Sequence, residues 1–187
     1  HPWTWHEAAD VRIFHPQPDA RPEGDLVWIG NWGDGERSGE IEEFLLEPVR
    51  RLGLQARVYG VRYPAEGLRA LEQAGIGYGG WLPNFRAPQV FARYRATIHI
   101  PRRPYRESIP GIPTIRMFEA LACGIPLVSL PWEDLDELFE AERDYLVAQT
   151  ADEMVDQLRR ILADQAFAAE LAEHGRRTIL ERHTCAH

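Results

Sequence analysis

Gly111-Ile112-Pro113-Thr114-Ile115-Arg116-Met117-Phe118-Glu119-Ala120-Leu121-Ala122-Cys123-Gly124-Ile125-Pro126-Leu127-Val128-Ser129 decides the fold of this chain. Pro113 suits the first turn of a helix, where a missing N–H leaves no bond unmade, and Gly124 suits the position just past a helix end. The spacing predicts a helix between them and a strand over Pro126 to Leu130. Between Ser108 and Trp132 the only formal charges are Arg116 and Glu119, so Glu119 is a carboxylate in a stretch that otherwise reads as buried. Burying an ion without compensation costs several kcal/mol, roughly, so Glu119 must be paired, protonated or turned toward a polar site. Arg116, one helical turn earlier, can supply the pair. A ligand can supply the partner equally well, and these residues alone leave both readings open.

Outward from this segment, short apolar runs alternate with helical patterns, the signature of a βαβ arrangement. Leu26 to Gly30 reads as a strand followed by a Gly-rich turn, Asn31 to Gly35. Ile41, Phe44, Leu45 and Val49 recur at helical spacing, with Pro48 set to kink or restart that helix and Gly53 to end it. Arg57 to Gly60 reads as a second strand, Glu66 to Gln73 as a helix, and Gly75 to Gly80 has room for a short third strand. Ala87 to Tyr94 reads as helix, Ala96 to Ile100 as strand and Tyr145 to Ala148 as the last strand, and two amphipathic helices, Ala151 to Ala163 and Gln165 to Arg182, finish the chain. Short strands joined through helices pair in parallel, so the expected fold class is α/β, a Rossmann-like doubly wound parallel sheet covered on both faces. Ligands then sit at the carboxyl ends of strands, in the loops after Gly30, Gly60, Ile100 and Leu130.

The 187 residues fit one domain, and no run approaches the roughly 20 apolar residues that span a bilayer. With 29 acidic against 21 basic residues and a net charge of -8, the chain lacks the basic balance of a nucleic-acid binder. Two cysteines, Cys123 and Cys185, make no disulfide framework and fit a reducing compartment, so the expected location is the cytoplasm. The chain opens on His1-Pro2-Trp3 rather than methionine and reads as a piece of a longer protein.

Arg102, Arg103 and Arg106 follow the strand ending at Ile100 and lead into the start of the focal helix. A helix N-terminus offers free N–H groups and partial positive charge, and arginine grips phosphate with a planar fork, so the cluster reads as an anion site. The turn Gly30-Asn31-Trp32-Gly33-Asp34-Gly35 lets backbone approach a ligand, but matches neither a dinucleotide fingerprint nor a Walker loop. Arg37 and Arg62 add possible phosphate contacts at the same edge. Asp134-Leu135-Asp136 has the look of a metal pair but lies in an acidic run that reads as a solvated loop. The tail His183-Thr184-Cys185-Ala186-His187 lacks the ligand set of a closed metal site and reads as a tail without function. His99 reads as a satisfied core histidine near the rim, and Trp28, Trp32, Trp81 and Trp132 as core or rim packing.

Phe118 to Ser129 closely resembles the signature phrase of the C-terminal half of GT-B glycosyltransferases, and Asp10-Val11-Arg12-Ile13-Phe14-His15-Pro16 is similar to the linker that enters that half. Tyr78 to Ile100 resembles the family's glycine, turn, helix and strand passage. The chain is thereby placed near the group 1 transferases, among CgeB-like members. The resemblance implies a leading linker over residues 1–24 and a donor-binding domain over 25–187, with the acceptor-binding N-terminal domain absent and the fragment alone inactive.

The resemblance further implies that the donor is a nucleoside-diphosphate sugar, such as a UDP-sugar, with the base and the sugar left open. Glu119 would bind its ribose hydroxyls, and Gly111, Ile112, Pro113 and Thr114 its diphosphate, with help from Arg102, Arg103 or Arg106. The loop at Gly30 and Asn31 would face the phosphates or acceptor, and Leu82 and Pro83 would lie where the family's backbone holds the base. It implies a retaining sugar transfer, in the full-length enzyme, to an acceptor saccharide, protein or small molecule, with no cofactor or metal required. One departure is visible: E-x7-E members carry an acidic residue where this chain has Gly111. Two other readings stay open, a GT-B sugar-nucleotide epimerase and a noncatalytic Rossmann-like module in which Arg116 and Glu119 form only a structural pair.

Overall fold

The computed structural model describes residues 6–33, 35, 37–103, 111 and 113–186. In chain order it contains β1 (Gly24–Ile29), α1 (Ser38–Ile41), a π-helical segment (Glu42–Leu46), α2 (Glu47–Leu52), β2 (Ala56–Tyr59), α3 (Ala65–Gln73) and β3 (Gly77–Tyr78). A 3-10 turn (Asn84–Arg86), α4 (Ala87–Phe91), β4 (Tyr94–His99), α5 (Ile115–Ala122), β5 (Leu127–Ser129), β6 (Leu146–Val147), α6 (Ala151–Ala163) and α7 (Gln165–Arg182) follow.

The strands form one six-stranded sheet in the order β3-β2-β1-β4-β5-β6. Every pairing is parallel: Leu26 opposes Ala56 on one side of β1 and Ala96 on the other, and His99 opposes Ser129. The chain first builds outward from β1 to β3 and then returns to place β4 on the other side of β1. Loops leaving β1 and β4 therefore diverge, which opens a crevice at the carboxyl ends of these two strands.

Alternation along the strands feeds two cores. Leu26, Trp28, Val58, Ile98 and Val128 face the side covered by Ile41, Leu45 and Val49 and by Met154, Leu158 and Ile161 of α6. Val27, Ile29 and Leu127 face the other side, packed by Val90 and Phe91 of α4, by Met117, Phe118 and Leu121 of α5, and by Ile179 of α7. Both faces are covered, as a parallel sheet requires.

Local chemistry explains where element boundaries depart from the sequence pattern. Pro48 stands in the first turn of α2, where the α-helix restarts: the residues before it widen into a π turn, in which the Glu47 N–H reaches back to the Glu42 carbonyl. Widening lets a ring that would crowd the preceding turn fit without a sharp kink. Gly53 ends the helix at φ 63°, a left-handed conformation that favours glycine. The helix expected through Tyr94 stops at Phe91, because Tyr94 pairs with Gly24 and already belongs to β4. Pro113 lies next to the first turn of α5, just before its N-cap Thr114.

The leading segment is tied to the end of the chain. The Ala9 N–H donates to the His183 carbonyl at 2.9 Å, Phe14 is buried, and His183 Nε2 bonds the Leu138 carbonyl at 2.7 Å. His183 and Thr184, directly after α7, are thus part of the packing. The expected boundary at residue 24 falls on the first residue of β1.

Candidate functional site

The crevice begins at Gly30, where β1 ends. The Gly30 N–H donates to the Tyr59 carbonyl at 2.8 Å, and the Gly30 carbonyl accepts from Tyr63 Oη at 2.8 Å. No larger residue fits here, since a Cβ on Gly30 would come within 2.5 Å of the Trp28 ring. Gly60, after β2, is closer still: a Cβ there would lie 2.0 Å from the Gly30 carbonyl oxygen. Asn31 is exposed, and its Oδ1 accepts from the Val61 N–H at 2.9 Å. Arg37 is buried, lies over the Trp28 ring, and donates to the Asn31 carbonyl at 2.9 Å and to the Ile100 carbonyl. It clamps the ends of β1 and β4 together, a structural use of a residue that reads in sequence as a phosphate contact.

Opposite lies the end of β4. His99 is buried between Ser129 Oγ, 2.9 Å from Nδ1, and Thr114 Oγ1, 2.9 Å from Nε2. Ser129 Oγ donates its proton to the Leu130 carbonyl at 2.7 Å, so it accepts from Nδ1–H, and Nε2 is left to accept from Thr114. This assigns a neutral imidazole. Burial, reinforced by the positive charges of Arg37 and Arg116, lowers its pKa to about 3. His99 is therefore no acid or base near neutral pH; it anchors Thr114 at the start of α5. With the Thr114 side chain turned to His99, no side chain caps α5, and Thr114, Ile115 and Arg116 at its start line the crevice.

Glu119 sits midway along α5, one turn after Arg116, and is 2% exposed. One carboxylate oxygen accepts from Asn84 Nδ2 at 2.5 Å, the other from Arg116 Nη1, and Arg116 Nη1 also reaches Asn84 Oδ1 at 3.0 Å. Burial raises the Glu119 pKa above the usual carboxylate value, against the opposing pull of Arg116 and Asn84. Asn84 carries no sequence signal of this role, since it lies outside any periodic pattern and 35 residues from its partner. Burial also pushes the neighbouring Cys123 thiol up to about 12, which makes it an inert packing residue.

Two hollows meet at Arg116. One, of about 420 Å³, is lined by Gly30, Asn31, Gly60, Trp81, Leu82 and Asn84 together with Arg116. The other, of about 190 Å³, is lined by Gly30, Arg37, His99, Arg102, Thr114 and Arg116. Of the residues singled out in sequence, the fold thus gathers Gly30, Asn31, Leu82, Arg102 and Thr114 around these hollows, with Glu119 directly behind Arg116 and Asn84. Arg103 is exposed, and Arg62, exposed at φ 59°, lines neither hollow. Gly111 is buried at φ 83° against Leu135, and Pro113 is buried beside it. Arg106 and Ile112 lie outside the described residues.

The remaining candidates are structural. Asp134 accepts from the Leu138 and Phe139 N–H groups at 2.9 Å each, which pins its loop, and Asp136 pairs with His6 at 2.7 Å. Among the described residues no group of three or more His, Cys, Asp or Glu side chains could hold a metal ion. Trp28 and Trp32 are core, whereas Trp81 is 71% exposed at the cleft rim. Larger hollows lie elsewhere, one of about 450 Å³ by Gln17 and Arg93 and one of about 630 Å³ by Arg57 and Tyr94. Neither is lined by a helix start or by the partners of a buried carboxylate.

A six-stranded parallel sheet in this order, flanked by helices and open at the β1/β4 switch point, is the Rossmann-like architecture of one half of a GT-B glycosyltransferase. The chain belongs to the glycosyl transferase-like family, which matches residues 37–187. No curated protein sequence matches it. Among solved structures it is similar to sucrose-phosphate synthase from Thermosynechococcus elongatus (TM-score 0.73, 18% identity, 95% of this chain and 47% of that one). It is likewise similar to Anabaena HepE in complex with UDP and glucose (TM-score 0.74, 15% identity, 95% of this chain and 52% of that one). A third similar structure is the C-terminal domain of the glycosyl transferase group 1 family protein LpcC from Francisella tularensis (TM-score 0.70, 14% identity, 95% of this chain and 99% of that one). The chain spans about half the length of the first two. Among the described residues no helix is long and apolar enough to cross a membrane.

Proposed function

We propose that this chain is the donor-binding half of a glycosyltransferase, that residues 25–187 form the donor domain, and that residues 1–24 lead into it from an acceptor-binding domain. The observation that carries the reading is the junction at Arg116: this side chain borders both hollows at the switch point, with a helix start that no side chain caps on one side of it and the buried Glu119 carboxylate behind it. A nucleoside diphosphate presents those two chemistries at matching ends, anionic phosphates and a ribose diol. Glu119 takes the ribose hydroxyls, and Gly111 to Thr114 with the first N–H groups of α5 take the diphosphate. Arg102 borders the phosphate end, with Arg103 and Arg106 next to it in sequence, and Leu82 borders the opposite end, where the base lies. HepE, of the same fold, holds UDP and glucose, which supports a uridine nucleotide as the first donor to test.

In the proposed reaction negative charge builds on the departing nucleoside diphosphate. Donors fixed in place before the reaction stabilise that charge best, and the α5 start with its arginines supplies them without a divalent ion. The transfer is proposed to be retaining, to a saccharide, protein or small-molecule acceptor held by the other half, in a CgeB-like member of group 1. The formed Arg116–Glu119 pair favours one alternative, a noncatalytic module in which the pair is purely structural. Calorimetric titration with UDP, GDP, ADP and dTDP separates the two. Binding of one diphosphate that Glu119→Ala weakens by about 1–3 kcal/mol supports the donor domain. Absence of binding, with Glu119→Ala lowering only the melting temperature, supports the structural module.

A further inference from the structure

Helix spacing alone does not account for the place of Arg116. Its guanidinium bonds both Glu119 and Asn84, and Asn84 bonds the other Glu119 oxygen, so three side chains from two elements close a ring. Each oxygen of Glu119 accepts a hydrogen bond from the ring, and the side chain is buried beneath it. Arg116 and Asn84 form wall of the larger cleft, Arg116 also borders the smaller hollow, and Glu119 lines neither. A ribose hydroxyl therefore reaches Glu119 only when a member of the ring moves. Asn84 is held on a 3-10 turn with a short side chain, whereas Arg116 has a long side chain, 24% exposed, rooted in the first turn of α5. An anion seated on that helix start lies within its reach.

Resting on the donor-site reading above, we infer that Arg116 is a positioning residue that exchanges Glu119 for the donor's diphosphate, uncapping the carboxylate for the ribose in the same movement. The guanidinium fork fits carboxylate and phosphate alike, and a diphosphate offers more charge and more acceptor oxygens than one carboxylate. Recognition of phosphate and of ribose are thereby coupled through one side chain. A nucleoside without phosphates meets a capped Glu119, and a diphosphate opens it. A merely structural Arg116 would treat the two ligands alike.

Titration of the chain with uridine and UDP, and with the corresponding guanosine, adenosine and thymidine pairs, finds the base. The preferred pair is then measured on wild type, Arg116→Met and Arg116→Lys. Arg116→Met weakens diphosphate binding by about 10- to 100-fold and leaves nucleoside affinity unchanged or tighter. Arg116→Lys, which keeps the charge but not the fork, recovers part of the diphosphate affinity; it also carries the test alone if the methionine variant does not fold. Equal weakening of both ligands, or weakening of neither, overturns the inference and leaves the donor domain standing. If wild type binds none of the four diphosphates, both fall.

Discussion

Glu119 is a residue whose burial works against its charge, and that makes its removal informative. The shift of its pKa above the usual value means the fold favours the neutral form more than water does. Glu119→Gln keeps an acceptor for Arg116 and Asn84, and the Arg116 side chain is exposed enough to rehydrate. Stability in urea is expected to stay within about 1 kcal/mol of wild type while nucleotide affinity falls about tenfold or more; a loss of about 3–5 kcal/mol would mark a structural ion pair instead. His99 gives a pH signature of the opposite kind. Its unfolded imidazole takes a proton near the ordinary value of 6.5, whereas the folded one holds off until about 3. Between those values the unfolded chain binds the extra proton, so stability falls as pH falls, by at most about 1.4 kcal/mol per pH unit. Urea midpoints at pH 7 and pH 5 are expected to differ more for wild type than for His99→Gln; equal slopes would contradict the buried neutral assignment.

At the scale of elements, the end of β1 is defined by what cannot be larger than glycine. Gly60→Ala would drive a methyl group onto the Gly30 carbonyl and force apart the two loops that floor the larger cleft. Its expected cost is about 3 kcal/mol or more in chemical denaturation, with nucleotide affinity lost in parallel; near-neutral stability would mean these loops shift freely. Elements with strong periodicity were legible in sequence: α6 and α7 run over the residues the pattern predicts, and the Pro126 to Leu130 strand is found within one residue at each end. What escaped depended on partners distant in the chain. Tyr94 belongs to β4 because Gly24 pairs with it, and Pro48 is accommodated by a π turn that no propensity announces.

For the molecule as a whole, alternating apolar runs and helices were enough to read the parallel sheet, and the loops after Gly30, Gly60 and Ile100 do converge on one crevice. Glu119 and the start of α5 could be singled out because a lone carboxylate in an apolar helix must have a partner. Asn84 could not, because only the fold brings the 3-10 turn against α5; nor could the structural clamp of Arg37, whose acceptors are backbone carbonyls of two separate loops. The central claim is that this crevice, and not one of the larger hollows near the opposite strand ends, receives the nucleotide. Amide chemical-shift mapping of the ¹⁵N-labelled chain during titration with UDP tests it most directly, with GDP, ADP and dTDP run alongside. Shifts concentrated at Gly30, Asn31, Asn84, Arg116 and Glu119 are expected for at least one diphosphate. Shifts confined to the hollow around Gln17 and Arg93, or no shifts with any of the four, would contradict it.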